Sequence, residues 1–237
     1  MTAVKIVVAP DPAAAAAEAA TWMARRIRSA VRLRGICRVA VSGGSTPALM
    51  FDALATMQLP WAQVHVYQVD ERVAPDGDAD RNAVQLHTHL GEQAPLPKAN
   101  LHLMPVTAKS LARAATSYAD AIGESPLDIV HLGLGDDGHT ASWPPGDDVI
   151  DAPGAVAISG EFNGRVRMTM TPALVNAARA RMVLVVGVGK AAPLAGWLLH
   201  RASLPVERVR RTDTTVIADV AAAAGLGGGL QRVGRLR

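Results

Sequence analysis

A chain of 237 residues lies within the range of a single α/β unit, and one compact domain over 1–237 is the expectation. Hydrophobic residues make up 49% of it but aromatic ones only 3%, so the core must be aliphatic and finely packed, as helices on a sheet allow. The net charge of +3 comes mostly from scattered arginines with no basic block interleaved with aromatics, which argues against a nucleic-acid groove and suits a small anionic ligand.

The single Cys37 excludes an intramolecular disulfide and a cysteine-rich metal site, and it reads as a buried small hydrophobe. The opening apolar run, stopped by Pro10 and Asp11, is too short for a secretory segment. No stretch approaches the roughly 18 apolar residues of a membrane span. The expectation is a soluble, cytoplasmic protein; the sequence leaves its oligomeric state open, a monomer included.

In chain order, short β-branched runs alternate with Ala-rich helical segments. A strand at Val4 to Val8 is followed by a helix from Pro12 to Leu33, a strand at Cys37 to Val41, and a helix from Pro47 to Ala55. Then come a strand at Val64 to Val69, helices from Ala79 to Leu90 and from Ser110 to Gly123, and a strand at Ile129 to Leu134. The last part reads as strands at Arg167 to Met170, Met182 to Val188 and Thr215 to Ala218, with helices from Thr171 to Ala178 and from Ala191 to Leu199. This rhythm predicts an α/β fold with a mostly parallel sheet flanked by helices. The Gly-rich, basic stretch from Gly225 to Arg237 reads as a frayed, flexible tail.

Ligands of such sheets bind beyond the carboxyl ends of the strands, and three of the loops there are unusual. In Ser42-Gly43-Gly44-Ser45-Thr46-Pro47, two glycines permit close backbone approach and Pro47 suits a first helical turn, so amides and the Ser45 and Thr46 hydroxyls can converge on a phosphate. Gly-Gly-Ser also makes ordinary strand-to-helix turns. The second loop, Asp70-Glu71-Arg72 with Pro75 to Asn82 behind it, can present a guanidinium ordered by acids, or form a solvated turn.

The third, Gly133 to Ser142, holds His139 in a Gly-flanked turn two residues after Asp137. That spacing lets a carboxylate fix an imidazole as general base, although an Asp-Gly turn with an incidental His has the same letters. Arg165, Arg167 and Lys190 near later strand ends are further cations for an anion. His87 and His89, two apart on a helix, face different ways and make a poor metal pair. His65 and His131 read as hydrogen-bonded packing residues, and His102 and His200 as loop or surface positions. No metal and no cofactor is expected.

Taken together, these segments resemble the 6-phosphogluconolactonase family in order across nearly the whole chain. Ser42 to Pro47 is similar to its phosphate motif, Asp70-Glu71-Arg72 with Asn82 to its Asp-Glu-Arg loop, and Asp136-Asp137-Gly138-His139-Thr140-Ala141-Ser142 to its most specific signature. Arg167-Met168-Thr169, Asn176-Ala177-Ala178 and Gly187-Val188-Gly189-Lys190 resemble later segments, with weaker echoes at Leu204-Pro205 and Asp219.

The resemblance implies a modified doubly wound sheet shared with sugar-phosphate isomerases and deaminases. It implies hydrolysis of 6-phospho-D-glucono-1,5-lactone in the oxidative pentose phosphate pathway, with a phosphorylated sugar lactone as the small-molecule partner. His139 would be the catalytic base and then acid, supported by Asp137. Gly43, Gly44, Ser45, Thr46, Asp70, Arg72, Arg167 and Lys190 would bind substrate. Trp143-Pro144-Pro145 departs from the family pattern and is expected to reshape the pocket wall or lid.

Two other readings are a deaminase or isomerase of the same fold and a non-catalytic sugar-phosphate sensor. Thr140-Ala141-Ser142 stands where the deaminase signature has Asn-Glu-Pro, and no helix-turn-helix precedes the first strand.

Overall fold

The computed structural model describes residues 4–200 and 203–229. Its strands are β1 (Lys5–Ala9), β2 (Cys37–Val41), β3 (Val64–Gln68), β4 (Asp70–Arg72), β5 (Leu101–His102), β6 (Ile129–Leu132), β7 (Val156–Ile158), β8 (Arg167–Met170), β9 (Arg181–Val185) and β10 (Thr214–Asp219). The helices are α1 (Pro12–Arg34), α2 (Ser45–Ala55), α3 (Asn82–Leu86), α4 (Leu111–Ile122), α5 (Pro172–Ala177), α6 (Ala191–Leu198) and α7 (Val220–Ala223).

Seven strands form one sheet in the order β1-β10-β9-β6-β2-β3-β5, and every neighbouring pair in it is parallel. Its central strands are buried on both faces, which is why they read as continuous β-branched runs rather than alternating ones. α1 covers one face through Ala15, Ala16, Ala19, Ala20, Met23, Ala24, Ile27 and Ala30. That row of alanines lets the helix axis approach closely. Asp11 caps it by accepting from the Ala14 amide at 2.8 Å, and Gly35 ends it at φ 75°, where a side chain would be strained.

From β2 the chain proceeds outward to β3 and β5, whereas from β6 it proceeds the other way through β9 to β10. The carboxyl ends of β2 and β6 therefore open a crevice at this reversal of winding. The loops Ser42 to Thr46 and Gly133 to Ser142 leave from those two strand ends.

A second sheet caps that end of the molecule, antiparallel in the order β4-β8-β7. It is joined to the main sheet through the Val69 amide donating to the Val41 carbonyl at 2.9 Å and the Met170 amide donating to the Val69 carbonyl at 2.8 Å. Arg167 to Met170 thus belongs to this sheet and not to the parallel one. Its residues are all buried, as in a central parallel strand, so its own pattern carries no sign of antiparallel pairing.

The expected helix from Ala79 starts only at Asn82, and His87–Gly91 continues it as one π-helical turn. In the segment expected as a frayed tail, Ala224–Gly229 forms a 3-10 turn with Leu226 buried, and Gly225 lies against the Ala191 carbonyl. Positions 230–237 lie outside the described residues. No helix among the described residues is long and apolar enough to cross a membrane.

His131 corrects one expectation. It is fully buried on β6, edge-on to Phe51, yet neither ring nitrogen has a hydrogen-bond partner among the described residues. Burial alone drives its imidazole down to about 3. The unfolded chain, with a histidine near its ordinary 6.5, then binds a proton that the folded chain refuses, so stability falls as pH drops below about 6.5 and continues to fall toward about 3. His131→Leu is expected to remove a penalty of about 1.4 kcal/mol at pH 5.5 and nearly none at pH 8. Urea unfolding of both proteins at the two pH values measures it; an equal difference at both would show that the folded chain binds the proton on His131 as readily as the unfolded chain.

Candidate active site

α2 begins directly at the end of the Gly-Gly loop, with Gly44 as its N-cap, Ser45 and Thr46 as its first two residues, and Pro47 third. Pro47 lacks an amide hydrogen and the Ala48 amide already donates to the Gly44 carbonyl, so Ser45 and Thr46 supply the free donors of this helix start. The Gly44 amide is not free, since it donates to Gln85 Oε1 at 2.9 Å. Gly43 has no room for a side chain: a Cβ there would stand 2.2 Å from Asn82 Oδ1. The Ser42 hydroxyl is buried at the mouth of the same loop with no partner among the described residues.

Opposite this loop, Arg72 on β4 and Arg167 on β8 are cross-strand partners in the antiparallel register. Like charges directly opposed destabilise a strand pair unless something negative lies between or beside them. Asp70, two residues along the same face of β4, supplies part of that. Burial raises its carboxyl above the ordinary value, against the Ser142 hydroxyl, which donates to it at 2.7 Å, and the Arg72 and Arg167 charges. Burial and the charge of Arg72 pull Arg167 below its ordinary value, and its Nε is buried with no partner among the described residues. Arg72 donates to the Asp80 carbonyl at 2.9 Å and to Asn82 Oδ1. Two cross-strand guanidiniums, one with an unused donor among the described residues, have the charge and hydrogen-bonding capacity to receive an anion.

Glu71, the middle letter of the same triplet, points the other way and is wholly buried. It accepts from Gln68 Nε2 and from the amides of Arg72, Asn82 and Ala83, each at 2.8 Å, and pairs with Arg81 Nε at 3.1 Å. Arg81, the residue before Asn82, is thereby a buried structural partner that also reaches the Ala74 carbonyl and Asp76.

The His139 turn closes through the Gly135 amide donating to the His139 carbonyl at 2.8 Å. Asp137 Oδ1 accepts from the His139 amide at 3.0 Å and lies 2.5 Å from its Nδ1. Burial opposes the charged form of Asp137, but these His139 contacts together hold the carboxyl below its ordinary value. With Nδ1 committed to a carboxylate, Nε2 is the nitrogen left for chemistry. The adjacent Ala141 adopts φ 51°, unusual for a residue with a side chain.

Gly43, Gly44, Ser45, Thr46, Asp70, Arg72, His139, Arg167 and Lys190 line one cleft of ≈ 230 Å³. Asp137 is not part of its wall and stands behind His139. Lys190 pairs with the exposed Asp136. Its loop is held by Asp219, whose carboxylate accepts from the Gly187 amide at 3.0 Å and 3.1 Å while capping α7.

Arg165 lies outside the cleft, paired with Asp78 and Asp80 at 3.1 Å and 3.3 Å. Trp143 is fully buried and donates to the Met170 carbonyl at 2.8 Å, so it packs the core beneath the small sheet instead of shaping a wall or lid. Sequence reasoning missed Gln85, which has no motif beyond lying one helical turn after Asn82, and Phe162, a lone aromatic between two glycines.

Of the other histidines, His65 Nδ1 and His102 Nε2 are 3.0 Å apart and His102 stacks on Tyr67, so His102 is a packing residue. His87 and His89 contact Glu92 and Asp52 at 3.2 Å and 2.8 Å. Among the described residues no three His, Cys, Asp or Glu side chains cluster as metal ligands.

A family model for glucosamine-6-phosphate isomerases/6-phosphogluconolactonase matches residues 10–218. The 6-phosphogluconolactonase of a Nostoc species is 32% identical over 197 residues, spanning 79% of this chain and 82% of that one. That of a Synechocystis species is 36% identical over 174 residues, spanning 70% and 72%. The solved 6-phosphogluconolactonase from Trypanosoma cruzi aligns with a TM-score of 0.84 at 26% identity, covering 94% of this chain and 97% of that one. A monomeric glucosamine-6-phosphate deaminase, at 18% identity and a TM-score of 0.78 over 93% and 99%, is similar in fold.

The imidazole depends on a missing side chain. A Cβ on Gly135 would stand 2.0 Å from His139 Nδ1 and 2.7 Å from Asp137 Oδ1. Gly135→Ala is therefore expected to keep a native circular dichroism spectrum but break the Asp137–His139 contact, which ¹H–¹⁵N spectra of the imidazole would read as loss of the low-field Nδ1 proton. An unchanged imidazole spectrum would show that the turn yields without moving the ring.

Proposed function

The chain belongs to the glucosamine-6-phosphate isomerase/6-phosphogluconolactonase family, and on that premise we propose that it hydrolyses 6-phospho-D-glucono-1,5-lactone to 6-phospho-D-gluconate. In the cytoplasm this is the second step of the oxidative pentose phosphate pathway. One observation carries the reading: an imidazole oriented by a carboxylate shares a single cleft with two cross-strand arginines and the amides of a helix start.

Lactone opening requires attack of water on C1, a place for the resulting oxyanion, and a proton for the departing ring oxygen. His139 Nε2 takes the proton from water as its oxygen bonds to C1. When the tetrahedral intermediate collapses and the bond from C1 to the ring oxygen breaks, the imidazolium returns that proton to the ring oxygen, which leaves as the C5 hydroxyl. Asp137 keeps Nδ1 protonated and favours the intermediate imidazolium.

The phosphate, close to a dianion at neutral pH, is received by the Ser45 and Thr46 amides and hydroxyls with charge from Arg72, Arg167 and Lys190. Gly43 and Gly44 let it approach the backbone. The buried Asp70 holds the arginines' face and, through Ser142, the His139 loop. Thr140 and Ser142 are occupied internally, the former donating to the Gly133 carbonyl at 2.8 Å, and Ala141 stands where a deaminase signature would place a carboxylate.

His139→Ala is expected to lower enzymatic lactone opening by roughly 10²–10⁴-fold while 6-phosphogluconate still binds. Proton release measured against the spontaneous rate, with calorimetry for the product, tests this; retention of more than about a tenth of the rate would exclude His139 as the base. Arg167→Ala should weaken the phosphorylated lactone by roughly ten- to a hundredfold relative to the unphosphorylated one. Equal losses for both lactones, read from KM, would remove Arg167 from phosphate recognition.

A further inference from the structure

Phe162 contacts two residues of the cleft wall, His139 and Arg167. It opens the tight turn that closes on Arg165 between β7 and β8, and its ring is half-buried. The ring meets the His139 imidazole edge-to-face, with centroids 5.0 Å apart and planes at 73°. The Arg167 guanidinium lies over the same ring, 5.0 Å from its centroid, and Arg167 Nη2 donates to the Phe162 carbonyl at 3.3 Å. The turn is anchored at its far side by Arg165 on Asp78 and Asp80, and the Asp80 carbonyl in turn accepts from Arg72. One aromatic side chain thus joins the base to the cation pair.

We propose that Phe162 is a positioning residue that couples occupation of the anion site to the orientation of His139, an inference that rests on the cleft being a phosphorylated-lactone site. Without an anion, Arg167 faces a like charge with its Nε unpartnered among the described residues, and the contacts that hold its head group are those with Phe162. An anion between Arg72 and Arg167 fixes the guanidinium, and the cation–π contact then fixes the ring. Because the ring's other contact is the imidazole edge, the base is held more firmly when the remote phosphate is bound. Binding energy from a part of the substrate that does not react is then expressed in kcat rather than in KM alone. A ring has only two side-chain torsions to order, which makes it a stiffer link than an aliphatic chain of similar size.

The test uses Phe162→Ala and the ring-retaining Phe162→Tyr, with both lactones and with inorganic phosphate as a non-reacting probe. Phe162→Ala is expected to lower kcat on the phosphorylated lactone by about tenfold, to leave kcat on the unphosphorylated lactone within about twofold, and to be rescued by Phe162→Tyr. In ¹H–¹⁵N spectra, saturating inorganic phosphate is expected to shift the His139 imidazole signals of the unmodified protein, and to shift them much less in Phe162→Ala. Equal loss of kcat on both lactones, or a phosphate-induced shift of unchanged size without the ring, would overturn the coupling. A protein that opens neither lactone but whose phosphate response depends on Phe162 would remove the hydrolase reading and leave the coupling standing.

Discussion

A carboxylate without access to water organises the entrance to the cleft. Glu71 can be buried only because four hydrogen-bond donors and the Arg81 guanidinium converge on it, and a buried carboxyl that loses its partners is among the most destabilising defects a fold can carry. Those donors come from the end of β3, from β4, from the buried Arg81 and from the first turn of α3. Meeting its needs therefore sets where α3 starts, which in turn places Asn82 against Gly43 and Gln85 against the Gly44 amide. The Gly-Gly loop keeps its shape through a residue that never reaches it.

That arrangement explains how differently the parts of the site could be read from sequence. The Gly-Gly-Ser-Thr-Pro and Asp-Gly-His loops were legible because each follows a β-branched run, and because glycine at Gly43 and Gly138 answers a steric demand that the letters express. The parallel sheet was legible for the same reason, its buried strands being long apolar runs. β4 was not, since Asp-Glu-Arg has no strand character and pairs only because β8 lies beside it. Within the triplet, alternation along a strand separates Asp70 and Arg72, which face the cleft, from Glu71, which faces inward. Trp143 looked like a wall residue by its place after the signature, yet its indole fills the core and satisfies its N–H on Met170. Phe162 and Gln85 act through contacts distant in sequence, which no local pattern encodes.

The charges of the site are kept apart by the same geometry. Asp137 lies behind the imidazole and outside the cleft wall, where it can orient His139 without facing a bound anion. Asp136, next to it, is exposed and holds Lys190, and Asp70 is buried with its oxygen on Ser142. Three carboxylates thus surround a basic cleft, each tied to a hydroxyl, an imidazole or an ammonium, which leaves the guanidinium pair as its main uncompensated charge.

The order of strands has a consequence for how the chain comes into being. β1, the first strand among the described residues, pairs there with β10 alone, and β10 must insert between β1 and β9. During synthesis the first strand has no partner until more than 200 residues have followed it, and the sheet can be completed only then. Asp219, at the end of that last strand, also fixes the loop bearing Lys190, so the cleft is finished by the same late event that secures the amino-terminal edge. Such long-range pairing slows folding and leaves an apolar strand waiting, and it ensures that the site is assembled only on a chain that has been made at least through β10.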